Sequence, residues 1–326
     1  MQRLDLRERG ASHVAASSLR HGVRHQDVGF EDVTTQGTVA VLGPGAVGVA
    51  LAVPLAEAGI DVVCVARPAT AAAITSQGLS LRYGSAVRTA RPRAVEALDE
   101  PVDLLLVTVK ATGLDDALAR IKSTPTVVLP LLNGLEHVDT IRRRLDGRVL
   151  AGSIGKLEAY RESSTEVVQT TAAPLITVFP EDHAADLLRE AGLDVRAGES
   201  ERAVLWEKTA RLAPLAAATA ITQQTLGELR SDDAWRSTLE AAVSEACAVA
   251  AADGITLNEA AQWEILDTMP AGVTTSTARD AAAGRPTELD AILGAVVRAA
   301  KRLDVSAPTL AGLLAEAEDA CRAQSH

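Results

Sequence analysis

A lysine stands where an apolar side chain is expected. In the stretch LWEKTARLAPLAAATAI, from Leu205 to Ile221, helical spacing puts Lys208 on one face with Val204, Leu212, Leu215 and Ala216, the side that should be buried. Glu207 and Arg211 are spaced to pair with each other on a different face that could meet water. An ammonium on the apolar stripe either reaches past it to solvent or stays desolvated at a site. A second set of residues is suited to binding. Gly43-Pro44-Gly45-Ala46-Val47-Gly48 reads G-x-G-x-x-G, whose glycines permit a tight turn, close approach of the backbone to a pyrophosphate, and close packing of helix on strand. Arg67 follows the next strand, where a 2′-phosphate wants a cation and an NAD ribose wants an acid. Asp61 stands at the far beginning of that strand, so the reading is NADP rather than NAD; a solvated loop arginine is the plainer alternative. Lys110 ends DLLLVTVK and Asn133 lies in PLLNG, just past a later strand. Ligands gather at such carboxyl ends, although a snorkelling lysine and an ordinary Asn-Gly turn need no ligand.

The elements that would position these residues are legible in outline. Val39 to Leu42 reads as a buried strand, Ala46 to Ala58 as a helix and Val62 to Ala66 as a second strand, a βαβ unit whose helix N-terminus faces the phosphates. Pro54 inside that helix removes one backbone bond and should bend it. Asp103 to Lys110 and Thr126 to Pro130 are near-continuous apolar runs, as parallel strands covered on both faces require. From about Ala203 the β patterns cease and alanine-rich helices take over. TLEAAVSEACAVAAADGI is one helix stopped by Gly254, and TELDAILGAVVRAAKRLDV another, with Leu289, Ile292, Leu293, Val296 and Val297 on one side. The expectation is an α/β fold: a Rossmann-type doubly wound parallel sheet over residues 37–202, then an all-helical substrate or dimerisation domain over 203–326. Residues 1–36 read as a mobile extension.

Composition removes several classes. A formal charge of -11 supplies no basic surface for nucleic acid, although local clusters of cations can still hold one small anion. No run of about 18 apolar residues escapes interruption, so no membrane span is expected. The first residues lack the apolar core of a secretory signal, and their acids count against a transit peptide. Cys64, Cys247 and Cys321 are widely separated and odd in number, which reads as reduced thiols of a cytoplasmic protein; Cys64 lies inside an apolar strand. The spacing of His13, His21 and His25 fits no standard metal site, and no metal is expected.

VLGPGAVG, LLLVTVKA, LLNG, LWEK, and TS followed at a short interval by TELD together resemble the ketopantoate reductases, which reduce 2-dehydropantoate to pantoate with NADPH. The resemblance covers nearly everything after Gly37. It implies that Gly43 to Gly48 hold the pyrophosphate, that Arg67 and Lys110 serve the phosphate-bearing adenosine end, and that Asn133 touches nicotinamide ribose and substrate. It further implies Lys208 as proton donor, Ser276 as the contact to the substrate carboxylate, and Glu288 as the acid beside substrate and cofactor. Such a lysine has a chemical use: negative charge grows on the carbonyl oxygen as hydride arrives, and a cation or proton donor there lowers the barrier. Burial would lower its pKa, and Glu288 would oppose that.

The departures concern the substrate. Where the family carries asparagines, an ungapped reading finds Leu212, Ala216 and Leu226, which cannot hydrogen-bond a polar ligand; an unpaired buried hydroxyl costs roughly 1–3 kcal/mol. Arg211, Thr222, Gln223 or Gln224 could substitute. The resulting expectation is an NADPH-dependent reductase of a small 2-oxo acid, or related carbonyl or imine, with a more apolar body than ketopantoate. True ketopantoate reduction is the second possibility, and a non-catalytic NADPH-binding regulator comes from another class. A dehydrogenase of the 6-phosphogluconate type would need more basic residues near the lysine helix than Arg211. Alanine-rich helical faces would suit a homodimer.

Overall fold

The computed structural model describes residues 37–171 and 174–324; the expected mobile extension and its histidines lie outside them. In chain order the strands are Thr38–Leu42 (β1), Asp61–Val65 (β2), Leu79–Tyr83 (β3), Ala86–Ala90 (β4), Arg93–Val95 (β5), Leu104–Val107 (β6) and Val127–Pro130 (β7). They continue as Arg148–Val149 (β8), Ala151–Gly155 (β9), Ala159–Arg161 (β10), Glu166–Gln169 (β11), Leu175–Phe179 (β12) and Asp194–Ala197 (β13). The helices are Ala46–Glu57 (α1), Pro68–Gln77 (α2), Leu114–Leu118 (α3), His137–Arg142 (α4), His183–Glu190 (α5) and Glu201–Thr222 (α6). After these come Leu226–Ser231 (α7), Asp233–Ala252 (α8), Glu259–Thr268 (α9), Ser276–Ala282 (α10), Ala295–Arg302 (α11) and Pro308–Gln324 (α12).

The main sheet has the order β5-β2-β1-β6-β7-β8 with every pairing parallel. Alternation along its central strands feeds two separate cores, because successive side chains leave opposite faces. Val39, Val41, Leu104, Leu106 and Leu129 pack with the α1 residues Val49 to Leu55. Ala40, Leu42, Leu105, Val107 and Val128 pack on the other side with Leu114 and Leu118 of α3 and Ile141 of α4. The near-continuous apolar strands follow from this: a sheet sandwiched between helices has no polar face. It is a doubly wound Rossmann-type sheet, and the chain leaves β1 in opposite directions toward β2 and β6, which opens a crevice at their carboxyl ends.

Two smaller sheets, β10-β11-β3-β4 and β13-β12-β9, carry strands that sequence patterning does not reveal. Their pairings join distant segments, such as Ser80 with Glu166 and Ile154 with Ile176, so nothing local announces them. From α6 onward the described chain is helical. Ser200 Oγ caps α6 by accepting from Ala203 N at 3.1 Å, and the helix runs through Pro214. Ala210, Ala213, Ala216 and Ala217 are fully buried, and their small side chains let neighbouring helices approach closely. Trp206 closes the bundle's end, donating its indole N–H to Asp253 at 3.0 Å.

One helical expectation is corrected. TELDAILGAVVRAAKRLDV is not a single regular helix: a π-helical turn occupies Asp290–Gly294 before α11 begins. The turn lies where the chain at Gly134 approaches closely: a Cβ on Gly134 would fall 2.0 Å from the Ala291 carbonyl oxygen, so only glycine fits there. Leu289, Ile292, Leu293, Val296 and Val297 nonetheless share one core cluster. No helix among the described residues is long and apolar enough to cross a membrane, and no group of three or more His, Cys, Asp or Glu residues there could hold a metal.

Candidate active site

A cleft of about 2500 Å³ runs from the β1–α1 turn past the ends of β6 and β7 to α6, α9 and α10. Its first wall is the glycine turn, in which each glycine answers to a different constraint. Gly43 has φ +84°, and a Cβ there would lie 2.2 Å from Val109 Cγ1. A Cβ on Gly48 would lie 2.7 Å from both the Gly43 carbonyl oxygen and Thr108 Oγ1, so this residue lets the helix sit on the strand. Gly45 is different: the nearest atom to its Cβ position is the Gly43 oxygen at 3.9 Å, and the space beyond is cleft. A side chain there would fill the cradle a pyrophosphate needs, so the turn fits a dinucleotide. Thr108 Oγ1 braces the turn, donating to the Gly43 oxygen at 2.8 Å. The N-cap Gly45 brings no side chain to the first N–H groups of α1, which are left for an anion.

The far wall carries the lysine. Lys208 Nζ donates to Asn133 Oδ1 at 2.7 Å and to the Ile154 carbonyl oxygen of β9 at 2.8 Å. Two of three ammonium hydrogens are thus used, and one remains for the cleft. Burial, and then the Arg211 guanidinium, pull Lys208 from 10.5 down to about 8, with Glu288 opposing both. Glu288 itself is 6% exposed and accepts from the Ala111 N–H at 3.0 Å, which fixes its carboxylate between the end of β6 and the helical half. Ser276, the first residue of α10, lines the same cleft.

Most of the residues singled out from sequence border this one cleft: Gly43, Pro44, Gly45, Ala46, Val47, Arg67, Lys110, Asn133, Lys208, Leu212, Ser276 and Glu288. Gly48 sits behind it, buried against the strand. Ala216 and Leu226, expected at the substrate, do not line it; both are 0% exposed and packed in apolar clusters. The expected Glu207–Arg211 pair is also corrected. Glu207 turns its carboxylate to Arg196 of β13 at 2.7 Å, while Arg211 donates to the Glu207 backbone oxygen and to Gln262 Oε1 and faces the cleft rather than bulk water. Lys110 is ion-paired to Asp280 of α10, whose other carboxylate oxygen accepts from Arg285 Nε at 3.0 Å. Asp280 is 4% exposed and was not legible beforehand, since TARDAAAG reads as an ordinary polar helix. Nor were Thr108, the Ile154 carbonyl or Arg161, which reaches the rim beside Arg67 from β10. A backbone acceptor and an edge-strand arginine leave no mark in local spacing.

Comparisons with known proteins identify the family. The family model described as ketopantoate reductase PanE/ApbA matches residues 39–181, and that of its C-terminal part matches residues 201–319. The 2-dehydropantoate 2-reductase of Mycobacterium tuberculosis (strain H37Rv) is 31% identical over 296 residues, 86% of this chain and 98% of that protein. A PanE/ApbA family ketopantoate reductase from Ralstonia eutropha JMP134 superposes with a TM-score of 0.81 at 30% identity, over 89% of this chain and all of its own. The fold is shared with a D-mandelate dehydrogenase solved with NADH and anilino(oxo)acetate, TM-score 0.80 at 23% identity, over 88% of this chain and 99% of that one. With both family models covering most of its length, the chain belongs to the ketopantoate reductase PanE/ApbA family of oxidoreductases.

Proposed function

We propose that this protein is an NADPH-dependent reductase of a small 2-oxo acid whose body is more apolar than that of ketopantoate. The observation that carries the reading is Lys208: a desolvated ammonium, held by Asn133 and Ile154 with one hydrogen unspent, in a cleft that opens on a dinucleotide-type glycine turn. Gly43 to Gly48 would hold the pyrophosphate and Arg67 the 2′-phosphate, with Asn133 and Glu288 at the nicotinamide end. NADPH supplies a hydride to the carbonyl carbon when bound. Lys208 donates its proton to the carbonyl oxygen, and its lowered pKa makes that transfer easier near neutral pH. Asn133 and Ile154 keep the ammonium from swinging away, and Glu288 keeps it protonated. Ser276 offers a hydroxyl to the substrate.

For the cofactor, Arg161 supports NADP over NAD. It lines the cleft beside Arg67, and burial and then the Arg67 charge push its guanidinium below the ordinary value. Neither arginine has an acidic partner within ion-pair distance among the described residues, which leaves two adjacent cations for a dianionic group. For the substrate, Leu212 on the cleft wall and the loss of Ala216 and Leu226 to the core support an apolar body. The D-mandelate dehydrogenase with anilino(oxo)acetate illustrates that this fold accommodates such a ligand. The buried thiols Cys64 and Cys247 fit a reducing compartment such as the cytoplasm.

The test is NADPH oxidation with ketopantoate set against 2-oxo acids carrying branched or aromatic side chains. The expected outcome is a higher kcat/KM for the latter. Preference for ketopantoate would return the protein to the activity named for its mycobacterial relative. NADPH binding with no turnover of any 2-oxo acid would instead favour a binding protein.

A further inference from the structure

Arg211 is the one polar residue, of those that could replace the lost amides, that borders the cleft; Thr222, Gln223 and Gln224 do not. Its Nη1 is used by the Glu207 backbone oxygen and by Gln262 Oε1 at 3.0 Å, while Nε and Nη2 have no hydrogen-bond partner among the described residues. The carboxylate spaced to neutralise it, Glu207, is taken by Arg196. A guanidinium set one helical turn from Lys208, with a free edge toward a cleft, is built to receive a carboxylate in the forked mode. Burial weighs on this cation first; the Glu207 charge offsets part of that and the Arg196 charge adds to it, so an anionic ligand relieves a cost still present in the folded protein. Around the reacting end Lys208 and Arg211 stand near Glu288 and near Glu207, whose carboxylate is shared with Arg196, and the open edge of Arg211 has no carboxylate of its own.

The neighbouring helix says what the rest of the molecule should be. Gln262 and Ile265 share one face of α9, Met269 follows as its C-cap, and all three line the cleft. The first holds Arg211, and the others, with Leu212 and Val273, form an apolar wall; Ile265 is 39% exposed there. We infer that Arg211 receives the carboxylate of a 2-oxo monocarboxylic acid whose branched or aromatic side chain lies on Leu212, Ile265 and Met269. This rests on the reductase reading above and assigns its substrate recognition to a residue outside the family's asparagines.

The experiment compares 4-methyl-2-oxopentanoate with its uncharged carboxamide in the full-length protein and in Arg211→Met. The expected result is a KM for the acid raised about 10- to 100-fold, a KM for the carboxamide changed less than about twofold, and NADPH affinity unchanged. Arg211→Lys, which keeps charge without the fork, should fall between. Should Arg211→Met fail to fold, Gln262→Leu loosens the same guanidinium and should raise the KM for the acid alone. Equal effects on acid and carboxamide, or none on either, overturn the assignment while leaving the reductase reading intact. Absence of turnover of every 2-oxo acid by the unaltered protein overturns both.

Discussion

At the scale of the residue, burial lowers the pKa of both Lys208 and His137, and the effects fall at opposite ends of the pH range. In the proposed reaction the lysine must be protonated, and burial pushes its pKa down to about 8. The kcat/KM for reduction should therefore hold steady below about pH 8 and decline roughly tenfold per unit above it, measured by NADPH oxidation across a pH series. Lys208→Ala should lower kcat roughly 100- to 10,000-fold with NADPH affinity retained. His137 opens α4 at 5% exposure, with both ring nitrogens lacking a hydrogen-bond partner. Burial first, and then the Lys208 charge, push its pKa from 6.5 to about 4, against a smaller opposing effect of Glu201. Because the unfolded chain takes up that proton first, the stability this histidine contributes is complete above 6.5 and drains away as pH falls toward 4. The loss between pH 7 and pH 5 should be about 2 kcal/mol, and His137→Leu should remove that part of the slope in urea unfolding. Neither environment was visible in LWEK or LEHV: helical spacing places Lys208 on the apolar face, but the Asn133 amide that holds it comes from 75 positions earlier.

Among the elements, the β1–α1 turn separates steric constraint from the proposed binding role within six residues. Gly43→Ala forces a positive φ and a clash with Val109, and Gly48→Ala drives a methyl against a backbone oxygen and Thr108; each should cost about 1–3 kcal/mol in thermal or urea unfolding. Gly45→Ala meets open space, so it should leave the melting temperature nearly unchanged while weakening NADPH binding at least about tenfold by fluorescence titration. The parallel strands were readable because both of their faces are buried, which makes them apolar throughout. The strands β9 to β13 were not, since their partners lie far along the chain. In β9 that matters for the site: Ile154 supplies Lys208 with a backbone acceptor. The break at Asp290–Gly294 was hidden for a similar reason, because the backbone that packs closely against it, at Gly134, lies more than 150 positions earlier.

The molecule as a whole joins the cation pair at the cleft rim from two sheets, Arg67 after β2 and Arg161 on β10. Saturation with NADPH at about a hundred times its Kd should stabilise the fold by roughly 2.7 kcal/mol, with NADH at the same concentration giving clearly less. Replacing both arginines by serine should bring the two shifts together in a thermal-shift titration. Equal shifts in the unaltered protein would contradict the 2′-phosphate assignment. The ion pair of Lys110 with Asp280 spans the same cleft farther in, linking the end of β6 to α10 across 170 positions of sequence.

Periodicity and punctuation alone determined the Rossmann half and its glycine turn, the helical remainder, and an ammonium displaced onto a buried face, because these depend on neighbours within a few residues. The partners of each charge were decided by tertiary structure. Glu207 chose Arg196 over the arginine four residues ahead, Asp280 took Lys110, and Arg211 was left facing the cleft with an open edge. An ionic side chain long enough to reach several partners takes the one that packing brings within bonding distance, and that packing is set by strands and helices far apart in the chain.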